Sequence, residues 1–204
     1  MKKIKFILVI VFIIFRFESV KADDNFEDWK IKFKIYAKDQ GVSSETLKKY
    51  IDNSKFLPNV IKYDRYQPEF YEDTKTYISK RASNKKLRAG YKIYLNNIDK
   101  INLISKKFKV DKNLLLSLMG IETNFGNYLG KMDIISSLAT LSFDKRRRIF
   151  FTSELITLLK LIDNNIIDPN TLFGSWAGAF GNFQFMPSTI KNYAIDFDND
   201  EKIS

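Results

Sequence analysis

The sequence predicts an all-α fold, and three observations carry that prediction. Apolar residues recur at three- and four-residue intervals along most of the chain. Ser and Asp residues stand just ahead of those periodic stretches, where helix N-caps belong. No Asn-Gly or Asp-Gly pair separates alternating segments, so the usual mark of a β-hairpin is missing.

In chain order, Phe26, Trp29, Phe33 and Tyr36/Ala37 step at helical spacing and stop at Gly41. Ser43 and Ser44 offer an N-cap for a short helix carrying Leu47, Tyr50 and Ile51. Residues 54–69 read as irregular, broken by Pro58 and Pro68. Phe70 to Ser79 reads as another short helix. Ser83 caps one long helix, with Leu87, Tyr91, Tyr94, Ile98 and Ile101 forming an amphipathic stripe. Asp111 caps a helix starting near Lys112, and Asp133 caps a segment with Ile134, Ile135, Leu138 and Leu141. A further helix runs from about Arg147 to Asp163, before the break at Asp168-Pro169. Pro187 is placed to start a last helix.

Leu114 to Ile121 is almost wholly apolar, and a helix apolar all round is expected to be buried. Glu122 stands at the end of that run. A buried carboxylate without a partner is costly, and desolvation raises its pKa. A carboxyl still protonated near neutral pH is what a general acid must be. The plain alternative is a helix-end Glu turned to solvent or paired with a Lys.

Composition narrows the chemistry. The chain has no His and no Cys. That excludes Ser-His-Asp and Cys-His catalysis, zinc sites built on those ligands, disulfides and a lipidated N-terminal Cys. Acid–base work falls to Asp, Glu, Lys or Tyr.

Met1 to Lys5 is a basic n-region, Phe6 to Phe15 is an apolar core, and Val20-Lys21-Ala22 suits a cleavage site. Residues 1–22 are therefore read as a secretory signal peptide, too short to span a bilayer, which takes about 20 apolar residues. An uncleaved N-terminal anchor is the alternative. Cleavage removes five basic residues (Lys2, Lys3, Lys5, Arg16, Lys21) and one acid (Glu18), so the formal charge falls from +10 to +6. An exported basic domain favours an anionic glycan or a membrane surface over nucleic acid. Plain Lys-rich composition explains the charge equally well. The expected location is the periplasm, as a soluble protein that is not lipidated.

From Gly174 to Gln184 the composition shifts to GSWAGAFGNFQ. Small residues there allow close approach of backbone or ligand. Ser175, Asn182 and Gln184, set among them, can hydrogen-bond a polar ligand; a tight helix crossing with nothing bound is the alternative. Asp196, Asp198 and Asp200 match the opening of a calcium loop, although Glu201 stands where a Gly normally makes the turn. A solvated acidic tail fits those residues as well.

Together, YDRYQPEF (63–70), YISKRAS (77–83), KVDKNLLLSLMGIETNFG (109–126), LATLSFDKRRRIFFTSEL (138–155) and GSWAGAFGNFQFMPSTIKNYAIDFDND (174–200) resemble the B-type lytic murein transglycosylases. The resemblance implies a lysozyme-like all-α core over residues 23–204, short of the family domain at its C-terminal end. It places Glu122 where the family has its catalytic glutamate, Ser175 and Gln184 at glycan-binding positions, Tyr77 at another, and Asp196, Asp198 and Asp200 at the start of a calcium loop. It implies peptidoglycan strands as partner and a lyase reaction that needs no cofactor. In the reaction the resemblance implies, Glu122 would give its proton to the glycosidic oxygen between N-acetylmuramic acid and N-acetylglucosamine, then take one from the muramic C6 hydroxyl, which would close on C1 as the 1,6-anhydro sugar. Because the chain ends before the family domain does, two further expectations stand beside this one. One is an inactive peptidoglycan-binding remnant; the other is a second polypeptide that supplies the remaining part.

Overall fold

In the computed structural model, residues 25–66, 72–197 and 203 are described. The expected signal peptide, and Asp198 and Asp200, lie outside them. The elements are helical apart from one short strand pair.

The core is built on α8 (Ile134–Phe143) and α9 (Arg148–Asp163). Every α8 residue from Ile134 to Ser142 is buried. Phe151, Leu155, Leu158 and Leu159 of α9 pack with Ile134, Leu138 and Leu141 in one apolar cluster. α1 (Phe26–Asp39) adds Phe26, Phe33 and Ala37, and Trp29 stacks between the two Phe rings. A short helix, α2 (Ser44–Thr46), continues as a π turn over Leu47–Ile51 and adds Leu47 and Ile51. α10 (Pro187–Tyr193) closes the cluster with Ile190.

Side-chain polarity in α8 has a visible purpose. Ser136 Oγ accepts from the Lys55 amide at 2.9 Å, and Thr140 Oγ1 accepts from the Leu57 amide at 3.0 Å. These hydroxyls pair two amides of the 54–57 loop, which has no ladder of its own to take them. At the next helix start, the Ser188 amide of α10 donates to buried Glu154 of α9 at 2.9 Å.

Ser43, Ser83, Asp111 and Asp133 all cap the helices expected of them. Asp163 reinforces the first, accepting from the Ser43 amide at 2.8 Å and from the Ser43 and Thr46 hydroxyls. Burial opposes ionisation there, but those hydrogen bonds outweigh it and hold the Asp163 carboxyl below its usual range.

Three expectations are corrected. The stretch after Pro58 is not irregular: α3 (Pro58–Arg65) begins at that proline, which sits in the first turn, where its missing N–H costs nothing. The short helix before Ser83 is α4 (Thr74–Arg81), capped by Asp73. The long helix after Ser83 is two, α5 (Asn84–Asn96) and α6 (Ile98–Phe108), broken at Asn97.

α3 also carries the most heavily paired carboxylate. Asp64 is buried, and its oxygens meet Arg65 at 3.0 Å, Arg146 at 2.8 Å and Arg147. Arg65 reaches on to Asp144 at 2.8 Å. Burial opposes ionisation of Asp144, but Arg65 and the Arg146 amide outweigh it and hold that carboxyl low.

Candidate active site

α7 (Lys112–Thr123) begins at Asp111, whose carboxylate accepts from the Asn113 amide at 2.7 Å and the Leu114 amide at 3.1 Å. The buried setting expected of this helix is not found. Leu114 is 55% exposed, Leu118 43% and Ile121 45%, and only Gly120 and Thr123 are buried. The reason is its surroundings: α5 and α6 flank it on one side, and the α8–α9 cluster does not enclose it. Glu122 is likewise exposed, so the chain alone does not supply the dry cleft expected around it.

What the fold does supply is a fixed position for the end of α7 against the glycine-rich turn. Thr123, 1% exposed, has its hydroxyl 2.9 Å from the Asn182 carbonyl and 3.1 Å from the Met119 carbonyl. The same oxygen accepts from the Gly126 amide at 3.0 Å. The turn beyond α7 uses left-handed backbone at Asn124 (φ 51°) and Phe125 (φ 60°), a combination Phe rarely adopts.

Two strands hold the turn in place. β1 (Met132–Asp133) pairs antiparallel with β2 (Phe173–Gly174), with Met132 opposite Gly174. The pair leaves no mark in the sequence, because each strand is two residues long and they lie some 40 positions apart. At Gly130 (φ 93°) a Cβ would come within 2.1 Å of the Gly174 carbonyl oxygen, so only glycine allows this approach.

Within the turn, the Ser175 amide donates to the Ala179 carbonyl at 2.8 Å, and Ser175 Oγ accepts from the Ala179 amide at 3.1 Å. The hydroxyl hydrogen of Ser175 is not used by that contact. Gln184 sits at φ 50°, and its Nε2 donates to the Leu129 carbonyl at 3.1 Å and the Gly181 carbonyl at 3.0 Å. Asn182 is exposed, with Oδ1 over Gly126. Thr123 and Gly126 thus meet Asn182, Leu129 meets Gln184, and Gly130 meets Gly174, the neighbour of Ser175. Tyr77 belongs to a different cluster, on α4, where the Arg81 guanidinium lies over its ring at 4.2 Å.

Thr123 was not foreseen as a site residue. No periodicity or motif separates it from any other helix-end Thr; its importance comes from Asn182, 59 positions away. Asp196 follows α10. Among the described residues no group of three or more Asp, Glu, His or Cys is arranged to hold a metal ion, and calcium gains no support from them.

Residues 25–204 match the transglycosylase SLT domain. The chain belongs to that family. Over 107 residues this SLT-domain chain is 41% identical to the membrane-bound lytic murein transglycosylase B of Escherichia coli K12, a match covering 52% of this chain and 30% of that protein. It superposes on SltB3 of Pseudomonas aeruginosa, solved in complex with NAG-NAM-pentapeptide and with NAG-anhNAM-pentapeptide. The TM-score is 0.83 and the identity 31%, over 87% of this chain and 48% of SltB3. It also superposes on Slt35 of Escherichia coli in complex with bulgecin A, at TM-score 0.77 and 30% identity, over 86% of this chain and 57% of Slt35. A further Slt35 structure contains calcium. The SLT-domain chain therefore has the lysozyme-like all-α fold of these enzymes, and it spans about half the length of the solved relatives.

Proposed function

We propose that this SLT-domain chain is a peptidoglycan lytic transglycosylase that cleaves the MurNAc-GlcNAc β-1,4 bond and leaves a 1,6-anhydro-MurNAc end. The observation that carries the proposal is the meeting of the Glu122 turn with the Ser175–Gln184 turn through Thr123. Family membership and the anhydro sugar held by SltB3 support it.

Glu122 serves first as acid and then as base, and the chain offers no His or Cys to share the work. On the free chain Glu122 is exposed. In this reading the sugar strand covers it, and that covering supplies the low-polarity setting a proton-donating carboxyl needs. As the glycosidic oxygen takes the proton, positive charge grows at the muramic C1 and is met by the sugar's own N-acetyl group. The Glu122 carboxylate then removes the C6 hydroxyl proton, and that oxygen closes on C1. No water is consumed and no cofactor enters, whereas paired-carboxylate hydrolases need a second acid and a water. Ser175, Asn182, Gln184 and Tyr77 hold the glycan. The basic, apolar N-terminal stretch supports export to the periplasm.

The test is to incubate the chain with isolated sacculi and to measure both pelleting and soluble fragments by mass spectrometry. The proposal expects both, with fragments ending in anhydro-MurNAc. Pelleting without fragments identifies a peptidoglycan-binding protein instead. Fragments with reducing ends identify a hydrolase.

A further inference from the structure

On the opposite side of α7 from Glu122 lies a cavity of about 430 Å³ between α5 and α7. Gly120, Leu116, Ser117 and Ile121 line it from α7. Positions two apart on a helix point about 200° away from each other, so a wall containing Gly120 turns its back on Glu122. Glu122, Ser175, Asn182 and Gln184 do not line the cavity.

Its floor is the Phe125 ring. Gly90 of α5 and Gly120 of α7 both press on that ring: a Cβ at either would lie within 2.9 Å or 2.7 Å of the Phe125 ring tip. Leu87 and Tyr91, both well exposed, form the rim. The volume falls within the range of ligand pockets, about 300–1,000 Å³.

Among the described residues, the charged ones lining the cavity are Arg81 and Lys86, both cations, and no Asp or Glu lines it. Lys86 Nζ donates to the Gly120 carbonyl at 3.0 Å, which holds the ammonium at the wall and uses one of its three N–H donors. Arg81, stacked on Tyr77 and 3.6 Å from Glu72, has further donors on its planar fork. α5 itself carries Lys85, Lys86, Arg88 and Lys92 and no acid.

We infer that this cavity is a binding site for a small amphipathic anion, a carboxylate carried on a hydrocarbon or aromatic body. The apolar floor and walls take the body; Lys86 and Arg81 take the carboxylate. Ser83, Asn84, Asn113 and Ser117 also line the cavity and add polar groups to it. The cavity faces away from Glu122, Ser175, Asn182 and Gln184, adjoins Tyr77 only through Arg81, and does not rest on the proposed chemistry at Glu122.

Calorimetric titration of the full chain with decanoate, below its micelle concentration, tests the site, with decanol as the neutral comparator. Saturable one-to-one binding of decanoate is expected, with decanol about tenfold weaker. Ser117→Trp, at an exposed position on the cavity wall, should abolish binding by filling the space. Lys86→Met should weaken decanoate to the level of decanol, and Glu122→Gln should leave binding unchanged. Absence of saturable binding to the wild type, equal affinity for decanol, or undiminished binding by a folded Lys86→Met chain overturns the inference.

Discussion

α8 carries four hydroxyl side chains, Ser136, Ser137, Thr140 and Ser142, and is buried from end to end. α7 carries Leu114, Leu115, Leu116, Leu118, Met119 and Ile121 and leaves three of them substantially open. Apolar content alone would reverse that assignment. Burial is decided by what surrounds a helix: α8 has α9, α3, α1 and the π turn around it, whereas α7 has α5 and α6. Small hydroxyl side chains suit the enclosed helix, because they let neighbours approach and satisfy the 54–57 loop. The two regions accordingly divide the work. The α8–α9 body holds the fold, and in the proposed function the α7 end offers a carboxylate and a turn to the glycan.

A large effect that would break this division is at Asp64. Removing it as Asp64→Ala leaves Arg65, Arg146 and Arg147 clustered without their shared carboxylate. The arginine ends stay partly in water, so we expect a loss of about 3 kcal/mol from the charge-assisted hydrogen bonds, read from chemical denaturation. The same measurement on a pair of truncations addresses the comparison itself. Leu138→Ala in α8, at a fully buried site, should cost about 2–5 kcal/mol. Leu118→Ala in α7 should stay within about 0.5 kcal/mol. Similar losses at the two positions would mean that α7 is enclosed after all.

Acid should act on the α8–α9 body. Asp144 and Asp163 have carboxyls held below the ordinary range in the folded chain. A group whose pKa is lower folded than unfolded contributes stability above its unfolded value, about 3.9 for Asp, and loses it as pH falls through the folded value. Thermal melts should therefore hold steady from neutral down to about pH 5 and fall below about pH 4. A melting point unchanged into stronger acid would show that these carboxylates contribute little. The smallest effect is at Ser137, whose buried hydroxyl has no hydrogen-bond partner among the described residues. Ser137→Ala should be neutral or stabilising by up to about 1 kcal/mol in the same melts.

The helical elements could be read from the chain because their causes are local. Ser43, Ser83, Asp111 and Asp133 cap through residues two or three positions away, and that spacing is visible in the sequence. Pro58 shows the ambiguity of a local signal, since a proline that starts a helix and one that breaks a chain segment look alike in sequence. The exposure of α7, the β1–β2 pair and the Arg146 and Arg147 contacts to Asp64 depend on residues tens of positions apart. The site shows the same split. Ser175, Asn182 and Gln184 stood out by composition, while the Thr123 hydroxyl that ties them to Glu122 gave no local sign.

The most direct measurement compares wild type with Glu122→Gln on isolated sacculi, following anhydro-muropeptides by mass spectrometry and folding by thermal melt. Glu122 is exposed, so the variant should melt with the wild type and still pellet with the sacculi. The account predicts loss of anhydro products by at least about a hundredfold. Undiminished release of those products by a folded Glu122→Gln chain would contradict it.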